Sequence, residues 1–295
     1  MNARERLTVW AFRTAAWLMP RVPELISGAV FDLIADASWL RNGRGVQRLQ
    51  GNLARVVGRP LDDEGVRSLT RRGMRSYLRY WRDLFRIASW SVDDVDRRLQ
   101  VIGREHLEEA LAQGRGVVAA GPHAGNWDLA GAWAGLHFGH LTSVAEALEP
   151  VELFRWFTET RALLGMEILP HRGGDRPLLR VLLERLRAGG IVALVSDRDL
   201  TQRGIPVQFF GAEARMAGGP AALALQTGAA LIPVMLYHDG DRAVCVLHAP
   251  LVIDATDDVA SVTQRLATRF EQDIAAHPAD WHMLQRVWPD LDVAR

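Results

Sequence analysis

The sequence predicts an α/β protein: a mostly parallel central sheet with helices on both faces, preceded by a helical N-terminal region. Three observations predict it. From Val101 onward, short apolar strand-like runs alternate with helical stretches, the rhythm of βα units. Those runs are apolar throughout rather than at every second position, as in strands covered on both sides. Before Val101 the apolar residues recur only at helical spacing. With 48% hydrophobic and 24% charged residues the chain is globular, and 295 residues suit one domain over 1–295. Residues 1–100 form its helical, basic portion and residues 101–295 its α/β portion.

In order, Thr8–Met19 and Pro23–Trp39 read as helices mixing aromatic and aliphatic residues. Val66–Ala88 is the strongest helix. Arg67, Arg71, Arg75, Arg79, Arg82 and Arg86 recur on it every three or four positions and form one stripe. That stripe is either an ordinary surface face or an interfacial one whose arginines meet lipid phosphates. The helix 104–113 is closed by Gly114. Strand 116–120, helix 126–138, strand 141–146, helix 151–164, strand 167–169, helix 176–188 and strand 191–196 follow. A loop-rich stretch with Phe209 and Phe210 leads to helix 219–227, strands 230–238 and 243–248, and a last helix 258–276. There is no internal repeat, no low-complexity tract and no phosphate loop of the P-loop or Rossmann type.

Formal net charge is zero, yet unevenly placed: residues 1–100 carry 18 Arg against 11 acids, and the rest 17 Arg against 24 acids. A basic first third favours an anionic partner, and its many aromatics, with no recognition motif, favour a membrane surface over nucleic acid. Neither N-terminal helix is an apolar run long enough to span a bilayer: Arg13 breaks the first, and the second carries Glu24, Asp32 and Asp36. The expectation is a peripheral protein. The single cysteine, Cys245, sits in an apolar run and reads as a buried structural thiol. The histidines show no spacing with carboxylate or thiol partners that would make a metal site, so no metal is expected.

The most informative string is Gly121-Pro-His-Ala-Gly-Asn-Trp-Asp128. It lies where strand 116–120 hands over to a buried helix, and open α/β sheets place their chemistry at such carboxyl-end turns. His123 is the side chain suited to taking a proton near neutral pH, and a carboxylate can fix its tautomer and stabilise its cation. Alone the spacing is a weak pattern, whose bland reading is a helix cap beside a solvated histidine. Asp128 either holds His123 or pairs with a nearby arginine. Asp197, at the end of strand 191–196, reaches the same rim, so both carboxylates are expected around His123.

That string resembles the H-x-x-x-x-D/E signature of glycerolipid and lipid A acyltransferases. Further blocks, Val195-Ser-Asp-Arg-Asp-Leu-Thr201, Phe209 to Ala224 and Ala230-Leu-Ile-Pro-Val234, follow in the order and spacing of the lipid A lauroyl-acyltransferase superfamily. Within it, D-R-D-L-T followed by F-F-G-x-x-A-R-M is most similar to the phosphatidylinositol mannoside acyltransferases of actinobacteria. The match covers roughly residues 100 to 240, and Asn52-Leu-Ala-Arg-Val-Val-Gly58 extends it. The resemblance implies a transferase moving a long acyl chain from acyl-CoA, a co-substrate, to a mannose hydroxyl of a glycolipid at the cytoplasmic face of the cell membrane, with no cofactor. It implies His123 as general base with Asp128 as the motif carboxylate, beside Asp197 from its place on the rim, and acceptor contacts from Glu146 and Arg161. Arg198, Arg203 and Arg215 are candidates for phosphate contacts. Trp127, Leu129, Ala130 and Trp133, with Phe209 and Phe210, are candidates for an acyl groove, into which the small residues Gly125, Ala130, Gly131 and Ala134 leave room. The same fold acting on another glycolipid or phospholipid, or a lipid-binding protein without catalysis, are the alternatives.

Overall fold

A computed structural model describes residues 3–139, 141–146, 149–174, 176–199 and 204–291. Four helices come first: α1 (Ala3–Leu18), α2 (Glu24–Arg41), α3 (Arg44–Val56) and α4 (Glu64–Leu84). Asp63 caps α4 by accepting from Val66 N at 3.0 Å, which satisfies one of the helix's orphan donors. A short helix α5 (Val92–Arg98), with a Ser91/Asp94 capping box, leads into β1 (Leu99–Ile102).

The α/β portion then runs α6 (Arg104–Ala112), β2 (Val117–Gly121), α7 (Trp127–Phe138), β3 (Leu141–Ala145), α8 (Val151–Ala162), β4 (Met166–Pro170), α9 (Leu178–Arg187) and β5 (Ile191–Val195). It continues with β6 (Ile205–Phe209), β7 (Ala212–Met216), α10 (Gly219–Thr227), β8 (Ala230–Asp239), β9 (Arg242–Leu247) and α11 (Val259–Ala276). Seven strands form one sheet in the order β1-β9-β8-β2-β5-β3-β4. Every neighbouring pair is parallel except β8 with β9. That pair is a hairpin, so the sheet is mostly parallel, as the βα rhythm predicts.

Helices cover both faces. Val117, Ile191, Ala230 and Ile232 belong to a core shared with Val95 of α5, Leu107 of α6, Trp133 of α7 and Phe157 of α8. Their sequence neighbours Val118, Val192 and Leu231 point the other way, into a core with Leu186 of α9, Leu223 of α10 and Phe270 of α11. Helix α4 contributes to both, through Leu69 and Met74 on one side and Tyr80 and Leu84 on the other. Burying a side chain of this kind is worth about 1.5–3 kcal/mol.

Two readings of the sequence need correction, and one that it left open is narrowed. The stretch that reads as loop-rich holds an antiparallel hairpin, β6–β7, which stands apart from the main sheet. Its Phe209 and Phe210 pack on Trp288 and α11 rather than beside α7, so they do not line the groove expected there. The arginine stripe of α4 is not an open basic face. Arg71 and Arg75 both grip Asp36 of α2, at 2.8 and 2.9 Å. Arg79 donates to the carbonyls of Gly240 and Asp241, Arg82 to Asp83, and Arg86 to the carbonyls of Met19 and Val22. The stripe binds the helical layer to itself and to the β8–β9 turn. Arg67 remains exposed.

Candidate active site

The turn after β2 is built tightly. Gly125 has φ +54°, and a Cβ there would sit 2.6 Å from the Leu236 backbone of β8, so only glycine fits. Asn126 caps α7 by accepting from Leu129 N at 3.0 Å, while its Nδ2 donates to Asp83 of α4 at 3.2 Å. His123, between strand end and cap, is about one-third exposed.

Asp197, not Asp128, meets the imidazole. His123 Nδ1 lies 2.5 Å from Asp197 Oδ1, and His123 N donates to Asp197 Oδ2 at 3.0 Å. Trp281 Nε1 donates to the same Oδ2 at 2.8 Å. Asp197 is fully buried. Burial alone would raise its pKa, but the imidazole's charge and the hydrogen bonds from His123 and Trp281 bring it below the ordinary carboxylate range. Bound through Nδ1, His123 has its Nε2 left to face a substrate.

Asp128 belongs to a second buried constellation. Arg161 of α8 donates to both its oxygens, at 2.7 and 3.2 Å, and the Tyr80 hydroxyl of α4 donates to Oδ2 at 2.8 Å. Of the two roles the sequence left open for Asp128, the geometry is that of pairing with an arginine. Burial alone would lower the Arg161 pKa; the adjacent Asp128 charge reverses this and raises it. Burial, then the Asp128 charge, holds the Tyr80 phenol well above its ordinary value, so it stays a donor. Trp127 is stacked on Tyr80, and the Arg161 guanidinium lies 4.5 Å from the Trp127 ring centre.

Beneath the motif an apolar cavity of about 100 Å³ runs between α7 and the sheet. Gly121 and Pro122, the residues before His123, are among its walls, as are Trp127, Ala130, Gly131, Trp133 and Ala134. Five of the candidates for an acyl groove therefore converge. Leu129 and Gly125 are not among its walls. Cys245 is, and burial pushes its thiol up to about 12, which keeps it protonated and inert.

Glu146 follows β3 on the same rim and is exposed. Arg198 follows Asp197, half-buried, and borders an open hollow with Arg48, Arg215 and Arg286. Arg203 and Thr201 lie outside the described residues. Among the described residues, no group of His, Cys, Asp and Glu is placed to hold a metal, and no helix is long and apolar enough to cross a membrane. Sequence reasoning missed Tyr80 and Trp281. Tyr80 is buried on α4, and no local pattern links it to Asp128, 48 residues on.

A histidine held by a buried carboxylate close to an apolar cavity is an arrangement suited to proton transfer on a substrate with an apolar portion. The sequence model for bacterial lipid A biosynthesis acyltransferases matches residues 2–289. The chain is 45% identical to phosphatidylinositol mannoside acyltransferase of Mycolicibacterium smegmatis over 93% of its length and 89% of that protein. It is 44% identical to the Mycobacterium tuberculosis protein of that name over 98% of its length and 91% of that protein. A lipid A biosynthesis acyltransferase of Haemophilus influenzae is 22% identical over 66% of the chain and 60% of its own length. The chain is an acyltransferase and belongs to the bacterial lipid A biosynthesis acyltransferase family.

Proposed function

We propose that the protein transfers a long acyl chain from acyl-CoA to a mannose hydroxyl of a phosphatidylinositol mannoside, with His123 as general base. One observation carries the reading: the His123–Asp197 pair adjoins an apolar cavity whose walls include Gly121 and Pro122, just before His123, and Val195, two residues before Asp197. The names of the two mycobacterial relatives support the acceptor. In this mechanism the thioester carbonyl lies at His123 and the part of the chain next to it enters the cavity, whose volume of about 100 Å³ has room for only a few methylenes. The imidazole takes the hydroxyl proton as the oxygen attacks, and Asp197 offsets the charge that develops. The thiolate leaves and takes the proton. Glu146 and Arg198 lie on the acceptor's side of the rim, with Arg198 toward phosphate. Arg161 supports the acceptor indirectly, through Asp128 and Trp127. The direct test is incubation with radiolabelled acyl-CoA and a panel of acceptor lipids, followed by product identification. A labelled mannoside is expected; label only on a lipid without mannose overturns the acceptor.

The cavity gives a sharper prediction. Ala130→Leu narrows it, so preference should move to shorter donors. Each methylene that no longer fits forfeits about 0.8 kcal/mol, or about fourfold in kcat/KM. A folded variant with an unchanged chain-length profile would place the acyl chain elsewhere.

The protein reaches its acceptor from the membrane surface, in this reading its cytoplasmic face. The apolar faces of α1 and α2 support this. Trp10 and Trp17, and Leu25 and Leu33 at 87% and 70% exposure, present large side chains to solvent beside exposed Arg6, Arg13 and Arg21. This replaces the α4 stripe as the docking surface. Flotation with phosphatidylinositol-containing vesicles should fall sharply for Leu25→Asp/Leu33→Asp and only mildly for Arg71→Gln. The opposite order would return docking to the stripe.

A further inference from the structure

Three consecutive residues near the C-terminus touch the motif loop and its carboxylate. The Asp280 carbonyl accepts from Gly125 N at 2.9 Å, and His282 N donates to the His123 carbonyl at 2.7 Å. Between them Trp281 is fully buried, with its indole on Asp197. The oxygens of Asp197 are thereby divided. Oδ1 faces the imidazole, and Oδ2 takes the indole and the His123 amide. A carboxyl group turns about a soft, two-fold torsion, so its own geometry does not set its plane. Two donors on Oδ2 set it together, the His123 amide and the indole N–H, the latter held by a ring locked in the core.

The segment is itself pinned. Asn52 of α3, fully buried, donates to the carbonyls of Met283 and Gln285 at 2.8 and 2.7 Å. Ser76 of α4 donates to Asp280 Oδ1 at 2.6 Å and lies 2.8 Å from His282 Nε2. The single hydroxyl hydrogen goes to Asp280, so His282 Nε2 carries the proton and donates to Ser76. His238 of β8 lies 2.9 Å from the same Asp280 oxygen. The Asn52 block that extends the family resemblance thus has a physical role, which is to fix the stretch that carries Trp281.

We propose that Trp281 is a positioning residue for acyl transfer: its indole N–H, together with the His123 amide, fixes the plane of the Asp197 carboxylate and, through it, the orientation of His123. The proposal rests on the reading of His123 as the base. It requires the indole N–H and not merely a large ring at this position.

The test is Trp281→Phe beside a matched comparison, Trp288→Phe. Both tryptophans are fully buried in one aromatic cluster with Phe209, and each donates one indole hydrogen bond. Trp288 donates to the Phe209 carbonyl at 3.0 Å, away from Asp197. The expected result is a loss of about 10- to 100-fold in kcat for W281F with KM for donor and acceptor unchanged, since a hydrogen bond to a charged group is at stake. W288F should lose similar thermal stability and keep its kcat. Equal kcat losses in both variants, an unchanged kcat in W281F, or a raised KM alone would overturn the proposal. If W281F does not fold, Asn52→Ala loosens the same segment one step back, and an unchanged kcat there overturns it equally. His123→Ala, assayed alongside, separates the two claims. An active alanine variant fails the base, whereas an inactive one beside a fully active W281F fails only the positioning role.

Discussion

His123→Ala is expected to fold and to lose about 10²- to 10⁴-fold in turnover, the usual contribution of a general base. Folding should survive because the side chain is partly exposed and Asp197 keeps two donors, His123 N and Trp281 Nε1, when the imidazole is gone. His123→Asn is the companion variant. It is polar and can still donate to Asp197, so it separates loss of the base from any disturbance of the buried carboxylate. Both variants should bind donor and acceptor with little change, placing the loss in kcat. A folded alanine variant with turnover near that of the unaltered enzyme would show that the hydroxyl is deprotonated by another group or by solvent. Circular dichroism and thermal melting establish that the variants are folded before rates are compared.

Asp128→Asn should act differently, on stability first. It leaves the Arg161 guanidinium, itself buried, without its charge partner. Breaking one side of a buried ion pair costs about 3–5 kcal/mol, against a total stability of about 5–15 kcal/mol for a folded domain. A large drop in melting temperature is therefore expected. The double variant Asp128→Asn/Arg161→Leu should recover part of it, since no uncompensated charge remains inside. Additive losses in the double variant would mean that the two groups are not coupled as the 2.7 Å contact implies. Full stability with a large fall in kcat would move Asp128 from the buried ion pair to the chemistry.

These two variants mark what was legible in the chain and what was not. The strands at 117–121 and 191–195 could be read because each is covered on both faces and so is apolar along its whole length. The β6–β7 hairpin has no such run; its signal is the alternation of inward Ile205, Val207, Phe209, Ala212, Ala214 and Met216 with outward Pro206, Gln208, Glu213 and Arg215, the mark of short half-buried strands, and a search for continuous apolar runs passes over it. His123 and Asp128 stand out because strand, turn and helix follow one another locally. The partner of His123 is 74 residues away and the partner of that carboxylate a further 84. No periodicity encodes such distances; Asp197 was reachable only from the rule that parallel strand ends share a rim. The arginine stripe shows what spacing alone leaves open. Its spacing is real, but its acid, Asp36, lies 35 and 39 residues earlier on another helix, so a paired face and an open one read alike.

The contacts between the first hundred residues and the rest have a mechanical consequence. Tyr80 on Asp128, Asp83 on Asn126, Ser76 on Asp280, Arg79 on the β8–β9 turn and Asn52 on Met283 all join the helical layer to the catalytic rim. A tether of the ordinary kind is a flexible leash, and the catalyst at its end can tumble. Here α2, which presents bare leucines to solvent, is held to α4 through Asp36 with Arg71 and Arg75, and α4 in turn is held through Asp83 and Asn126 to the turn that carries His123. If α2 docks on a membrane as proposed above, these contacts dictate the angle at which the histidine meets it.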